Sequence, residues 1–326
     1  MNCLIVHIIN TVFLVIILTG CSGTIFDGSD QRGWEYTTGG WIDSSYVVSP
    51  EWVNAHLSDL SLIVIDTREE SVKDRERIPG ALDLHWTALV DLSTSPVQPG
   101  YGLSYGPEKI SHILDSMGVD TSKTVVVYND PVNGWAEDGR VLWVLRLAGI
   151  HKSKFINGGL NSWQAKGFPT SKNRTLPRSS SGYRIMSFDS SYTVDGNFIN
   201  RRIPNWNVSS SNLRLIDSRE KSEYNGSILY GEKRGGHIPG ARWYWFKDLI
   251  HPDGTVKSQV QLDSIFTSLG IKRQDTVVAY CTGGVRSADV TIFLRMAGYP
   301  NSRNYDGSWW DWAATDEFPV ANNSIK

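Results

Sequence analysis

Thr276-Val277-Val278-Ala279-Tyr280-Cys281-Thr282-Gly283-Gly284-Val285-Arg286-Ser287 joins an apolar run of strand character to a short glycine-rich turn. From Ser287 to Met296 the pattern becomes helical, with Val290, Phe293 and Leu294 on one face. A cysteine at the end of a strand and just ahead of a helix N-terminus has its sulfur facing unpaired backbone N–H groups. Those donors, the positive end of the helix dipole and the guanidinium of Arg286 all favour a thiolate over a thiol. An isolated cysteine is more commonly a small buried apolar residue. The flanking glycines, the arginine and the strand-to-helix position point instead to a nucleophile.

Working outward, the same strand recurs upstream. Thr124-Val125-Val126-Val127-Tyr128 answers Thr276 to Tyr280, and Val64-Ile65-Asp66-Thr67-Arg68-Glu69 answers Leu215-Ile216-Asp217-Ser218-Arg219-Glu220. Arg77-Ile78-Pro79-Gly80-Ala81 matches His237-Ile238-Pro239-Gly240-Ala241, Arg146-Leu147-Ala148-Gly149 matches Arg295-Met296-Ala297-Gly298, and Asn157-Gly158 with Trp163 matches Asp306-Gly307 with Trp312. These ordered matches recur at about 150 residues, far beyond a solenoid period, and describe two homologous domains. Continuous apolar runs at Leu62 to Ile65 and Val125 to Val127 alternate with helical patterns at Pro107 to Met117 and Val141 to Leu147. The expected class is α/β, each domain a parallel sheet with helices on both faces. Ligands of such sheets bind beyond the carboxyl ends of the strands, which is where Cys281 falls. The proline- and serine-bearing stretch 169–187 reads as a linker between domains at 46–168 and 188–326.

The three cysteines bound the chemistry. Leu4 to Leu18 is an apolar run of signal-peptide length ending in Leu18-Thr19-Gly20-Cys21, which resembles a bacterial lipobox, although no Lys or Arg precedes Leu4. On that reading residues 1–20 are removed, Cys21 is lipidated as the first mature residue, and 21–45 is a flexible tether. An exported protein, anchored by lipid to a bacterial membrane and facing the periplasm, is expected. Cys281 is then the one thiol of the folded body, which excludes a disulfide framework, a cysteine-rich metal site and a Cys-X-X-Cys cycle. With 32 basic and 34 acidic residues interspersed, no electrostatic footprint for nucleic acid is visible.

Asp217-Ser218-Arg219, Gly236-His237-Ile238-Pro239-Gly240-Ala241, Tyr280-Cys281 and Tyr305-Asp306-Gly307-Ser308-Trp309 together resemble the rhodanese, or sulfurtransferase, family across both halves. The layout is similar to thiosulfate and 3-mercaptopyruvate sulfurtransferases, in which only the C-terminal domain is catalytic. Aligning Tyr128 on Tyr280 puts Asn129 at the place of Cys281, and an amide cannot attack sulfur. The resemblance therefore implies an inactive first domain that walls the catalytic cleft. It implies a Cys281 persulfide, charged by a small sulfur-donor anion such as thiosulfate and discharged to a thiol or to cyanide. The N–H groups of Thr282, Gly283, Gly284, Val285, Arg286 and Ser287 would cradle the sulfur, the glycines supplying positive-φ turns. Arg286 would face sulfur or donor anion, with a salt bridge to Asp289 as the structural alternative. Arg219 and Arg234 are candidate donor contacts, His237 a structural turn residue, and Trp309 and Trp310 candidate cleft residues. No metal or organic cofactor is implied, and a monomer is expected.

The loop departs from both two-domain patterns and looks closer to the Cys-x-x-Gly-x-Arg loop of single-domain members. Glu223 stands where two-domain relatives carry a substrate-binding arginine, an acid expected to repel donor anions. Thiosulfate is the expected assay donor in preference to 3-mercaptopyruvate, and a persulfide or polysulfide is a further donor class. A non-catalytic tandem module that binds sulfur species or a protein partner stays open. A cysteine phosphatase is disfavoured because Cys281 and Arg286 leave four intervening residues, one fewer than a loop that wraps a phosphate. A Cys–His hydrolase through His237 is disfavoured by the turn context.

Overall fold

The computed structural model describes residues 39–69, 71, 76–177, 180–203 and 212–322. The expected leader and lipidated Cys21 lie outside the described residues, and no described helix is long and apolar enough to cross a membrane.

The first domain contains the strands β1 (Val47–Val48), β2 (Leu62–Asp66), β3 (Leu82–Asp83), β4 (Thr124–Tyr128) and β5 (Ser153–Ile156). Its helices are α1 (Pro50–His56), α2 (Pro107–Ser116), α3 (Glu137–Leu147) and α4 (Gly159–Ala165). The second domain contains β6 (Thr193–Val194), β7 (Leu213–Asp217), β8 (Arg242–Trp243), β9 (Thr276–Tyr280) and β10 (Ser302–Tyr305). Its helices are α5 (Gly196–Asn200), α6 (Lys221–Tyr224), α7 (Gln259–Ser268), α8 (Val285–Met296) and α9 (Ser308–Ala314). Each domain forms a five-stranded sheet, ordered β1-β5-β4-β2-β3 and β6-β10-β9-β7-β8, with every pairing parallel. Val277, Val278, Ala279 and Tyr280 are wholly buried, as a central strand covered on both faces requires.

The duplication extends to hydrogen bonds. Tyr128 Oη accepts from Ile78 N, and Tyr280 Oη accepts from Ile238 N, each at 3.1 Å. Trp163 Nε1 donates to Pro169 O and Trp312 Nε1 to Pro319 O, each at 2.9 Å. Arg68 closes on Asp66 as Arg219 closes on Asp217. Equivalent turns therefore follow from matching local sequence, whichever half carries it.

The halves share one core. Helices α3 and α8 pack on each other, and both are buried around most of their circumference because each lies between a sheet and its partner helix. Phe155 meets Phe293 with centroids 5.6 Å apart, and the Tyr46 and Tyr192 hydroxyls hydrogen-bond at 3.0 Å. The described part of 169–187 carries no helix or strand, yet it is tied to the first domain. Asp115 Oδ1 accepts from Ser180 Oγ at 2.7 Å and from Gly182 N at 2.6 Å, and Ile185 N donates to Ser111 Oγ at 2.8 Å. That segment behaves as a strap more than as a free linker.

Candidate active site

Strand β9 delivers Cys281 to the carboxyl edge of the second sheet, and α8 begins four residues later. Ser308 Oγ accepts from Cys281 N at 3.1 Å, and Cys281 O accepts from Trp309 N at 2.9 Å, so the cysteine backbone is fixed from α9. Cys281 is 1 % exposed, but it lies in the wall of a cavity of about 180 Å³. Reactants must therefore reach the sulfur through that cavity.

Burial opposes ionisation of this thiol. The Arg286 charge, the Ser287 N–H and hydroxyl, and the Gly283 N–H outweigh it, so the thiol sits below its ordinary range. The Ser287 hydroxyl also stands 2.7 Å from Asn304 Oδ1 and has one proton to give, so it serves sulfur or amide at any instant. Gly284 is the N-cap of α8 with φ +76°, the left-handed geometry expected of it. Gly283 differs from expectation. Its backbone is not in the positive-φ region; what it supplies is space, since a Cβ there would lie 2.2 Å from the Trp310 ring.

Arg286 has a partner other than Asp289. Its Nη1 donates to Glu223 Oε2 at 2.7 Å and its Nη2 to Glu223 Oε1 at 2.9 Å. Thr282 Oγ1 donates to Glu223 Oε1 at 2.5 Å, and Glu220 N donates to Oε2 at 3.0 Å. Although burial resists it, this set of donors holds the Glu223 carboxyl below the usual carboxylate range. The expectation that Glu223 meets donor anions as an uncompensated acid is thus corrected: its charge is spent on Arg286. The same pairing reduces what Arg286 can offer an incoming anion. The Arg286 Cζ also lies 5.6 Å from the Trp135 ring centre and 5.8 Å from that of Tyr230.

Two other candidates fall elsewhere. Arg219 is fully buried, with Nε 2.9 Å from Asp217 Oδ1, Nη2 2.6 Å from Asp217 Oδ2 and Cζ 4.6 Å from the Trp309 ring. Arg234 spends its guanidinium on the carbonyls at the end of α9, donating to Trp312, Ala313, Thr315 and Phe318 O. Neither lines the cavity, and both expectations are corrected to structural roles. Trp309 is a core residue whose Nε1 donates to Arg234 O, whereas Trp310 does line the cavity. His237 stacks on Tyr224 at 3.8 Å, its Nδ1 2.9 Å from Tyr224 O, and lies away from the sulfur.

The rest of the cavity wall comes from the first domain and from one loop of the second: Glu69, Trp86, Trp135 and Glu137, with Tyr230. Glu69 ends a repeated motif, but Trp86, Trp135, Glu137 and Tyr230 carry no local motif that marks them. Arg140, from α3 of the first domain, reaches across to donate from Nη1 to Gly284 O at 3.2 Å, and from Nη2 to Asp306 Oδ1 at 2.5 Å and Ser104 Oγ at 3.1 Å. Asn304 Nδ2 meets the same Gly284 carbonyl at 3.1 Å. The first domain therefore grips the turn that holds Cys281.

A model of the rhodanese-like domain matches residues 49–166 and again 205–315. The chain is 32% identical to the thiosulfate sulfurtransferase of Corynebacterium glutamicum over 288 residues, covering 84% of this chain and 89% of that one. It is 30% identical to the sulfur carrier protein TtuD of Thermus thermophilus over 292 residues, covering 86% and 98% respectively. Among solved structures, the anaerobic ergothioneine biosynthesis enzyme of Chlorobium limicola, in complex with trimethyl histidine, superposes with TM-score 0.75 at 23% identity, over 88% of this chain and 72% of that one. That last likeness concerns the fold.

Proposed function

The chain belongs to the rhodanese-like family and is a sulfurtransferase, and from that premise we propose that it moves a sulfane sulfur from thiosulfate or a related donor to a thiophilic acceptor through a Cys281 persulfide. The observation that carries this reading is the placement of Cys281 between strand and helix in the wall of an open cavity, where the charge of Arg286 and the N–H groups of Ser287 and Gly283 favour its thiolate. The thiolate attacks the outer sulfur of the donor; the donor S–S bond breaks, and sulfite leaves with the electron pair. The charge carried by the new outer sulfur is met by N–H groups already aimed at the site, which need no rearrangement as the bond forms. Of the site residues, Gly284 shapes the turn and Thr282 ties Glu223 to it. Arg219 and Arg234 keep the surrounding turns rigid without touching the donor.

Sulfur carriage without turnover is the second reading, favoured by the likeness to a relative named as a sulfur carrier. Incubation with thiosulfate should add the mass of one sulfur to the protein and none to Cys281→Ala. Cyanide should then release thiocyanate catalytically; a loaded protein that turns over once points to carriage, and no loading contradicts both readings. The lipoprotein-type leader, with Cys21 as the lipidated residue and periplasmic exposure, belongs to the same proposal. Incorporation of labelled fatty acid in a bacterial host, lost in Cys21→Ala, tests it.

A further inference from the structure

The space above Cys281 has the wrong charge for a dedicated anion site. Its cavity is faced by Trp86, Trp135, Tyr230 and Trp310, and its charged walls are Glu69, Glu137 and the already paired Arg286. An adjoining cavity of about 430 Å³ shares Glu69, Trp135 and Glu137 and adds Glu76 and Asp130. The cation in that wall, Arg68, is committed to Asp66 through Nε and Nη2 and to Glu76 O. From the second domain, Glu220 and Glu232 add negative field around Tyr230. Lys247, whose Nζ donates to Val132 O at 2.8 Å and lies 5.8 Å from the Trp135 ring centre, offsets part of this.

Carboxylates beside aromatic rings are the chemistry that holds an ammonium group. Trp135 and Tyr230 already have Arg286 near their faces, and Trp135 has Lys247 as well, so Trp86 and Trp310 are the rings an incoming cation would meet. The larger cavity also exceeds what a small sulfur anion occupies, leaving room for an organic co-substrate. We propose that the sulfur acceptor is a cationic thiol, its ammonium held among Glu69, Glu76, Asp130 and the aromatic faces while its sulfur reaches Cys281. This rests on the persulfide reading above. The acceptor thiolate forms a bond to the outer persulfide sulfur. The bond from that sulfur to Cys281 Sγ breaks with its electron pair remaining on Sγ. The acceptor departs as a persulfide and Cys281 returns as thiolate, so no oxidant or reductant is consumed. The positive charge on the acceptor also eases the approach of one sulfur anion to another.

The test uses the thiosulfate-loaded protein, its loading verified by mass. Discharge is timed with cysteamine, 2-mercaptoethanol and 3-mercaptopropionate at equal thiolate concentration and low salt. The expected order is cationic, neutral, anionic, spanning at least about tenfold, with the span shrinking at high salt and in the Glu69→Gln/Glu76→Gln double variant. Equal rates, or a preference for the anionic thiol, on loaded protein would overturn the proposal while leaving the persulfide intact. If the protein does not load, the persulfide reading has failed, and the cleft is judged alone by tetramethylammonium titration of tryptophan fluorescence. A saturable response weakened in the double variant supports a cation site there; no saturable response contradicts it.

Discussion

The loops that follow β4 and β9 leave the same sheet edge in the two halves and do opposite things. After β9, Thr282-Gly283-Gly284 is just long enough to turn N–H groups inward onto Cys281 before α8 begins. After β4, Asn129 stands in place of the cysteine and the chain runs on through residues 130–136 before α3. There the helix supplies its own anion: Glu137 Oε2 accepts from Asn129 Nδ2 at 3.1 Å and from Trp135 N at 2.9 Å. Arg286 is the second residue of α8, in its first turn, whereas an acid, Glu137, opens α3. At the place of Cys281 the first domain thus has an amide, with neither the short turn nor the arginine of the second, on the same scaffold. What it gained is reach, since Arg140 and the walls at Trp86 and Trp135 serve the other domain's site.

The sharpest way to break this contrast is to move the nucleophile. Cys281→Ser should lower turnover by at least about a thousandfold, since a hydroxyl lacks the thiolate's nucleophilicity at neutral pH. Adding Asn129→Cys to that variant should restore no persulfide by mass, because the first loop holds Glu137 where a thiolate needs donors. Recovery of even a tenth of the parent rate would show that loop geometry is not what separates the halves.

Next in size is the Arg286–Glu223 pair. Arg286→Ala leaves a buried carboxylate without its cation, and a stability loss of about 3–5 kcal/mol is expected in chemical denaturation. In the parent, Glu223 is an acid with a depressed folded value, so its contribution is complete above the unfolded value of ~4.3 and is lost as pH falls through the folded one. That acid-side loss should largely vanish in Arg286→Ala. Glu223→Gln should cost less stability and improve kcat/KM for thiosulfate severalfold, because Arg286 then faces the cavity with its charge uncompensated. No gain with thiosulfate would mean the pair does not govern donor charge.

A smaller effect tests whether the first domain positions the second. Arg140→Ala removes the donor to Gly284 O, and kcat should fall by about tenfold with KM little changed. Its specific signature is a rightward shift in the pH profile for persulfide formation, since a loosened turn aims fewer N–H groups at sulfur. Arg140→Lys should recover only part, a lysine being unable to span Gly284 O, Ser104 and Asp306 at once.

The smallest effect lies where α3 crosses α8. Burial and the neighbouring Glu137 charge push Asp138 up to about 7, and burial with the Asp138 charge raises Asp289. A raised acid costs stability as pH climbs from the ordinary carboxylate range, ~3.9, through the folded value. Melting temperature should therefore decline from mildly acidic pH toward pH 8, and Asp289→Asn should flatten that decline by a few degrees.

The parallel α/β class, the duplication and the position of Cys281 were legible because each is written locally: apolar runs of one strand's length, turns repeated in order, and a glycine-bounded strand-to-helix junction. The long-range partners were not. Glu223 is separated from Arg286 by 63 residues, and Arg140 from Gly284 by 144, so neither pairing leaves a trace in spacing. Arg219 and Arg234 misled for a related reason. An arginine next to a motif looks the same whether it faces a ligand or caps backbone carbonyls, and only the fold distinguishes them. Trp309 and Trp310 are adjacent in sequence yet divide between core and cavity, as neighbours on a helix must.

Around Cys281, donors outweigh the cost of burying the thiolate charge. Titrating thiolate absorbance in the ultraviolet, with Cys281→Ala as the blank, tests it most directly. The midpoint should lie below the ordinary thiol value of ~8.5 and move upward in Arg286→Ala. A midpoint at or above that value, unchanged by the arginine's removal, would contradict it.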